Sequence, residues 1–205
     1  MAELVDALAS GASEHYARVS SSLIRRTIGI TMNIDQFYES MSDIVYGWVD
    51  KGGGKHSEVY EKFDDDYRLQ DAGEVEKSRI GVCWDQVEFE RRYFEENGIA
   101  HGTYSLTYYT DAKCPNHTFL IFEQGGKWHW FEHSWEENRG IREYASKNEL
   151  LKDVVCKFIP TVANFSDPSS LCLYRYAKPP KSLGVLDFYK WFEGGEQIQL
   201  ECVLK

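Results

Sequence analysis

Three side chains of the types used in nucleophilic catalysis occur at Cys83, His117 and Glu132. Cys83 follows Gly81 and precedes a stretch with helical periodicity. A helix start stabilises negative charge through its unpaired N–H groups and its dipole, and the thiolate is the nucleophilic form of cysteine. Cys83 is therefore the candidate nucleophile for an acyl carbon. His117 is the candidate base that takes the thiol proton, and Glu132 is the candidate carboxylate that orients the imidazole.

The pairing of His117 with Glu132 depends on a predicted β-hairpin. Gly125-Gly126 is a two-residue turn signal between two strand-like segments, so residue i is expected to pair with residue 251 − i. His117 and Glu132 are then diagonal neighbours on one face of the hairpin. His129 and His133 point to the opposite face. A loop with an odd number of residues would reverse this assignment.

A zinc site is the rival interpretation of the same segment. Cys114, His117, His129 and His133 are residue types that bind zinc. The predicted strand parity opposes this site, because it turns His117 away from the two later histidines. We therefore expect neither a metal nor a cofactor.

Three further residues are weaker candidates for the site. The oxyanion of a tetrahedral intermediate needs hydrogen-bond donors, for which the Cys83 backbone N–H and the side chain of Gln70 are candidates. Trp84 and Trp135 are candidates for the walls of a substrate-binding pocket. Core packing is the simpler expectation for either tryptophan alone.

Helical elements are predicted in three places. Apolar residues spaced by three and four predict a helix within residues 32–48. A second helix begins at Cys83 and ends at the stop signal Asn97-Gly98. Ser182 is the predicted N-cap of a last helix, residues 183–192.

Strands are predicted where β-branched and aromatic residues are enriched. The five segments are residues 103–109, 117–123, 127–135, 154–160 and 171–176. Helices followed by neighbouring strands predict an α+β fold, in which the helix that carries Cys83 packs on an antiparallel sheet.

Composition limits the classes of partner. The 205 residues include 33 acidic and 23 basic side chains, giving a formal net charge of −10. This charge argues against nucleic acid and against an anionic membrane as the main partner, and favours a peptide or protein substrate. No apolar run approaches the roughly 18 residues of a membrane-spanning helix. The oligomeric state is not predicted by these features.

Cysteine usage and the N-terminal pattern predict a cytoplasmic protein with reduced thiols. The five cysteines are an odd number, widely spaced, and show no repeat of zinc-ligand spacing. Cys156, Cys172 and Cys202 have apolar neighbours and are expected to be buried. The N-terminus lacks the basic and apolar regions of a secretory signal.

Residues 1–31 differ in composition from the rest, being rich in alanine and serine and poor in aromatic residues. One interpretation is an extension from a misannotated start, with Met32 as the natural start. The other is an ordinary amphipathic N-terminal helix, and the sequence leaves both open. Residues 32–205 are predicted to form the domain that carries the chemistry.

Three motifs together resemble the transglutaminase-like branch of the papain-like cysteine superfamily. They are Gly81-Val82-Cys83, His117-Thr118-Phe119 and Trp130-Phe131-Glu132. The extended sequences around Cys83 and Glu132 look like a bacterial branch of that family. The family has Cys, His and Asp in this chain order, so the resemblance implies a triad of Cys83, His117 and Glu132, with Glu where Asp is usual.

Two functions follow as hypotheses. The first is a thiol-dependent enzyme that acts on a peptide or amide bond through a Cys83 thioester, with hydrolysis favoured over transfer because nothing marks a second, amine-binding site. The alternative is a catalytically silent protein-binding module on the same fold. Its contact surface would be the aromatic residues of the hairpin, namely Trp128, Trp130, Phe131 and Trp135.

Overall fold

The computed structural model describes residues 32–58, 62–110 and 114–200. The predicted extension, residues 1–31, and Cys202 lie outside the described residues. The chain divides into two compact units, residues 1–39 and 40–205. The elements and contacts of the candidate site all belong to the second unit.

The helices and strands alternate only in part along the chain. The helices are α1 (Ile34–Ser40), α2 (Phe63–Asp66), α3 (Ala72–Ser78), α4 (Cys83–Glu96), α5 (Lys147–Phe158) and α6 (Val185–Glu193). The strands are β1 (Trp48–Val49), β2 (Lys55–His56), β3 (His101–Tyr108), β4 (Asn116–Gln124), β5 (Lys127–Glu132), β6 (Gly140–Tyr144), β7 (Leu171–Tyr176) and β8 (Glu196–Ile198). Among these helices, none is both long and apolar enough to cross a bilayer.

Six strands form one antiparallel sheet in the order β6-β5-β4-β3-β7-β8, and β1 pairs with β2 separately. The β4–β5 hairpin turns at Gly125-Gly126, where both glycines have positive φ. Its register pairs Leu120 with Phe131 and Gln124 with Lys127. The predicted relation between residues i and 251 − i is therefore confirmed.

Helices pack on the two faces of this sheet, which makes the protein an α+β protein. On one face, α5 contributes Leu150, Leu151, Val154, Val155 and Phe158 to a core with sheet residues that include Phe119 and Trp130. On the other face, the ring of Phe94 in α4 lies 4.9 Å from Phe122 and 5.6 Å from Phe131. On each face of the sheet, the apolar side of a helix is therefore buried against the strands. This burial is the main source of stability for a helix packed on a sheet.

The predicted strand at residues 154–160 is wrong, because this segment is the end of α5 and the short 3-10 turn that follows it. The buried residues of α5 recur at spacings of three and four, and Ser146 caps its first turn by accepting from the Glu149 N–H. Only the apolar second half of the helix has strand-like composition. Cys156 points to the outer side of α5 and is exposed, and Cys172 in β7 is only partly buried, so the expected burial of these two cysteines is also wrong.

Other boundaries differ in smaller ways. Helix α1 ends at Ser40, well before residue 48, and a turn follows it. The last helix is capped by Gly184 rather than by Ser182. Strands β1, β2, β6 and β8 are not among the predicted strands, since each has five residues or fewer and is too short to show a strand pattern. Helix α4 begins at Cys83 and ends before Asn97-Gly98, as predicted.

Candidate active site

His117 and Glu132 are in direct contact. The Nε2 atom of His117 and the Oε2 atom of Glu132 are 2.7 Å apart, and both side chains are buried. Glu132 is the last residue of β5, and His117 is the second residue of β4. The diagonal placement expected from the hairpin register thus brings the two groups within hydrogen-bond distance.

The second oxygen of Glu132 fixes the carboxylate. Its Oε1 atom accepts hydrogen bonds from the Trp135 backbone N–H at 2.7 Å and from the Ser134 hydroxyl at 3.0 Å. Three hydrogen bonds therefore orient one buried carboxylate, and the chain turns back over it directly after β5. An imidazole held by such a carboxylate keeps a single orientation and tautomer.

The side chain of Cys83 completes the contact. It interacts with the His117 side chain and contributes to the shift in the pKa of that imidazole. Because Glu132 occupies Nε2, the Nδ1 atom is the ring nitrogen left for the thiol. Burial alone would lower the pKa of His117, but the negative charge of Glu132 and the hydrogen bonds to Cys83 and Glu132 outweigh it and raise that pKa to about 10. The proton is therefore favoured on the imidazole, as required for an imidazolium–thiolate pair.

Three buried side chains hold the backbone that leads into Cys83. The carboxamide of Gln70 donates to the Ile80 carbonyl at 2.8 Å, and that of Gln86 donates to the Gly81 carbonyl at 2.7 Å. The Val82 N–H donates to Oδ2 of Asp85 at 3.0 Å. Successive residues before the thiol are thus each fixed by one side chain.

Asp85 is the most heavily bonded of these groups. Its Oδ1 atom accepts from the Gln70 N–H and from the Tyr67 hydroxyl, each at 2.8 Å. The side chain is completely buried, and this burial raises the pKa of Asp85 to about 7 despite the three donors. A Cβ on Gly81 would lie 2.8 Å from the Asp85 Cβ, so the close packing requires glycine at this position.

An open cleft of about 370 Å³ lies beside the imidazole. The ring of Trp135 stands 5.0 Å from that of His117 at an angle of 66°. The other lining residues are Tyr46, Asn116, Ser134, Glu136, Glu137, Arg139, Phe158 and Thr161. Cys83 is only 5% exposed and is not part of these walls. A substrate in this cleft would therefore meet His117 and Trp135 first.

Two of the weaker candidates, Gln70 and Trp84, do not line the cleft. The Gln70 carboxamide is bonded to a backbone carbonyl, which directs its donor into the loop before Cys83. Trp84 is buried in a cluster with Tyr67 and Phe188, and its Nε1 donates to Asn116 at 2.7 Å. Trp135 alone of the two tryptophans lines the cleft.

The four residues of the rival zinc site do not converge. His117 bonds to Glu132, whereas the His133 Nδ1 atom lies 2.7 Å from Oε1 of Gln86. The ring of His129 stacks on Phe122 on the α4 face of the sheet, 4.7 Å between centroids. Within residues 32–58, 62–110 and 114–200, no three His, Cys, Asp or Glu side chains are grouped so as to hold a metal ion.

Sequence reasoning missed several groups around the site. Tyr46 reaches it from a loop distant in sequence and lines the cleft with His117. Glu90 lies two turns after Cys83 and is buried, and this burial raises its pKa well above the ordinary value. Asp85 and Gln86 had a usable signal, since polar residues two and three positions after a helix start commonly bond the preceding backbone. Tyr46 had none.

No protein-family model matches the chain, and a comparison with curated proteins finds no significant match.

Proposed function

We propose that this protein is a thiol-dependent acyl-transfer enzyme of the transglutaminase-like, papain-like type, acting in the cytoplasm on a peptide or amide bond. The observation that carries the proposal is the continuous contact of Cys83 with His117 and of His117 with Glu132. A buried nucleophile, base and orienting carboxylate in this order is the arrangement used for covalent acyl transfer.

The chemistry divides into two steps. The Cys83 thiolate attacks the acyl carbon, and the His117 imidazolium gives its proton to the leaving amine, leaving a thioester. His117 then takes a proton from water, which attacks the thioester, releases the acid and restores the thiolate. Glu132 keeps the imidazole oriented in both steps. We favour water over an amine as acceptor, since nothing among the described residues marks a second, amine-binding site.

The relative labelling rates of the described cysteines test this proposal. Exposure alone predicts that Cys156 is the most reactive of the described cysteines, because it is exposed whereas Cys83 is buried. Activation by His117 predicts the reverse order. We expect iodoacetamide at pH 7 to modify Cys83 faster than Cys156 and Cys114, measured residue by residue by mass spectrometry. Equal or slower labelling of Cys83 would count against the enzyme.

A base variant separates activation from simple access. In His117→Ala the cleft is wider, so access to Cys83 should not decrease. We expect labelling of Cys83 at pH 6 to fall at least about tenfold all the same, since the imidazolium that stabilises the thiolate is lost. Labelling of Cys156 in the same sample is the internal control.

One observation favours the second candidate, a catalytically silent binding module. The cleft presents Trp135 and Tyr46, whereas Cys83 is withdrawn from it. The hairpin aromatics contribute less than expected, because Trp130 and Phe131 are fully buried in the core. For a binding module, Cys83→Ala would leave the cellular effect of the protein intact, and Trp135→Ala would abolish it. For the enzyme, both changes abolish it.

A further inference from the structure

The loop that carries Tyr46 is attached to the segment before Cys83. The N–H of Val45 donates to the Arg79 carbonyl, and the N–H of Gly81 donates back to the Val45 carbonyl, each at 3.1 Å. The next bond along, from Gly47 to the Gly81 carbonyl, is 3.4 Å long. Residues 45–47 therefore run beside residues 79–81 and place Tyr46 next to the first turn of α4.

Gly47 permits this close approach. A Cβ at this residue would lie 2.4 Å from the His56 carbonyl oxygen and 2.6 Å from Cδ1 of Ile80. Since backbone and core atoms surround the position, the Tyr46 backbone is held on both sides. Well-packed backbone on both sides therefore fixes the direction of the Tyr46 side chain.

The Tyr46 side chain has two environments. The residue as a whole is 45% exposed and lines the cleft with His117 and Trp135. Its hydroxyl interacts with the Cys83 side chain, which contributes to the shift in the pKa of the phenol. Burial, followed by the negative charges of Cys83 and Asp85, raises the pKa of Tyr46, so the phenol keeps its proton at neutral pH and acts as a donor.

We propose that Tyr46 is a catalytic residue that supplies the side-chain donor of the oxyanion hole, a role that rests on the proposed acyl-transfer function. Its hydroxyl lies near the sulfur that forms the new bond, because residues 45–47 run beside residues 79–81 and the side chain shares the cleft with His117. In a tetrahedral adduct the oxyanion is attached to the carbon bonded to that sulfur, which puts it within reach of the same donor. The Cys83 N–H, at the first position of α4, is the second donor, since a helix leaves its first N–H groups without intrahelical partners.

The electron pairs in this step move as follows, and no outside reagent is needed. The thiolate donates an electron pair to the acyl carbon, and the carbonyl π pair moves onto oxygen. Tyr46 and the Cys83 N–H hydrogen-bond to the resulting oxyanion without giving up their protons. Collapse returns the pair to carbon and expels the leaving group, which leaves the thioester.

The ratio of the acylation rate to the alkylation rate of Cys83 tests this role. It distinguishes an oxyanion-hole donor from a ring that only limits access to the thiol. p-Nitrophenyl acetate acylates Cys83 through a tetrahedral oxyanion, whereas iodoacetamide alkylates it by direct displacement, without one. In Tyr46→Phe the ring, and with it any steric effect, is retained. We expect the rate of Cys83 acetylation to fall about 10- to 1000-fold relative to the rate of alkylation. Loss of a donor to the thiolate would affect both reagents together and cancels in this ratio.

Tyr144→Phe is the matched control, because it removes a phenolic hydroxyl that is bonded to Asp153 on α5, away from the cleft. Its ratio of acetylation to alkylation should equal that of the unchanged protein. An unchanged ratio in Tyr46→Phe would overturn the role of Tyr46 while leaving the enzyme intact. Absence of Cys83 acetylation in the unchanged protein, with Cys156 acetylated, would instead overturn the proposed function itself.

Discussion

The imidazole of His133 and the carboxamide of Gln86 form a direct link between the end of the β4–β5 hairpin and the helix of the nucleophile. His133 Nδ1 and Gln86 Oε1 are 2.7 Å apart, and Gln86 Nε2 donates to the Gly81 carbonyl at 2.7 Å. Because the carboxamide nitrogen is the donor to Gly81, its oxygen is the acceptor, and Nδ1 of His133 carries the proton. The turn after Glu132 and the loop before Cys83 are thereby held in one arrangement.

Stability should depend on the neutral state of His133. Burial, aided by the charge of Arg139, lowers the pKa of His133 to about 4 from an ordinary value near 6.5. The folded state thus resists a proton that the unfolded state accepts, and the stabilisation is present above pH 6.5 and is lost as pH falls toward 4. Relative to His133→Gln, which keeps an amide donor, the unchanged protein should lose up to about 3 kcal/mol across this window.

Urea unfolding at several pH values measures this difference. His101→Gln is the control, since His101 lies at the start of β3 and bonds only to the nearby Ile99 carbonyl among the described contacts. A difference between the unchanged protein and His133→Gln that stays constant from pH 7 to pH 4 would contradict the prediction.

The charge of Glu132 should be needed for thiolate formation. Glu132→Gln keeps a carbonyl oxygen for Trp135 and Ser134 but removes the negative charge that raises the pKa of His117. The balance then shifts from the imidazolium–thiolate pair to the neutral pair, so alkylation of Cys83 at pH 6 should fall at least about tenfold. Mass spectrometry of the iodoacetamide-treated protein gives the rate.

Glu90→Gln is the matched control for that experiment. Glu90 is equally buried, and burial raises its pKa well above the ordinary value, so its neutral form is favoured. One of its oxygens, Oε2, has no hydrogen-bond partner among the described residues. Replacing it with an amide should leave the alkylation rate of Cys83 within about threefold. Equal losses in the two variants would show that a generic change in the core, not the Glu132 charge, controls the thiol.

The contact between His117 and Glu132 could be predicted from the sequence because it depends on local rules. A two-residue glycine turn fixes the register, and the two-residue period of a strand then fixes which side chains share a face. The same local logic failed for residues 154–160. Their composition suits a strand, and only the wider window that includes Leu150 and Leu151 reveals the helical period.

Tyr46 could not be predicted in the same way. It lies 37 positions before Cys83, and its position results from backbone pairing between residues 45–47 and 79–81, which no turn or periodic pattern specifies. The hydrogen bonds of Gln70 and Gln86 to the backbone before Cys83 could be predicted only in part. The sequence shows that both residues lie near Cys83, but only the folded loop determines which carbonyls they bond.

Asp85 should contribute to stability through its acceptor oxygens. In Asp85→Asn the new amide group must face either the Val82 N–H or the Gln70 N–H, whichever way it is turned, and a donor facing a donor costs about 1–3 kcal/mol. The raised pKa of about 7 adds a pH dependence. Between the ordinary pKa of 3.8 and this raised pKa, the folded state retains a proton that the unfolded state releases. The part of the stability that is linked to this proton is complete below pH 3.8 and is lost as pH rises through 7.

The advantage of the unchanged protein over Asp85→Asn should therefore be larger at pH 5 than at pH 8, as measured by urea unfolding. Asp187→Asn, an exposed first-turn position of α6, is the control and should change the free energy of unfolding by less than about 0.5 kcal/mol at either pH. A larger advantage at pH 8 would contradict the assigned direction of the Asp85 pKa.

Gly81 should affect both the free energy of unfolding and the reactivity of Cys83. In Gly81→Ala the new Cβ meets the Asp85 Cβ at 2.8 Å, so the loop must shift, at a cost of about 1–3 kcal/mol in the free energy of unfolding. The shift moves the backbone between Tyr46 and Cys83, and alkylation of Cys83 at pH 7 should slow while that of Cys156 is unchanged. Gly184→Ala is the matched control, because its Cβ would have no neighbour closer than the Tyr67 carbonyl at 4.0 Å. If Gly81→Ala lost stability but kept full Cys83 reactivity, the loop before α4 would support the fold without positioning the thiol.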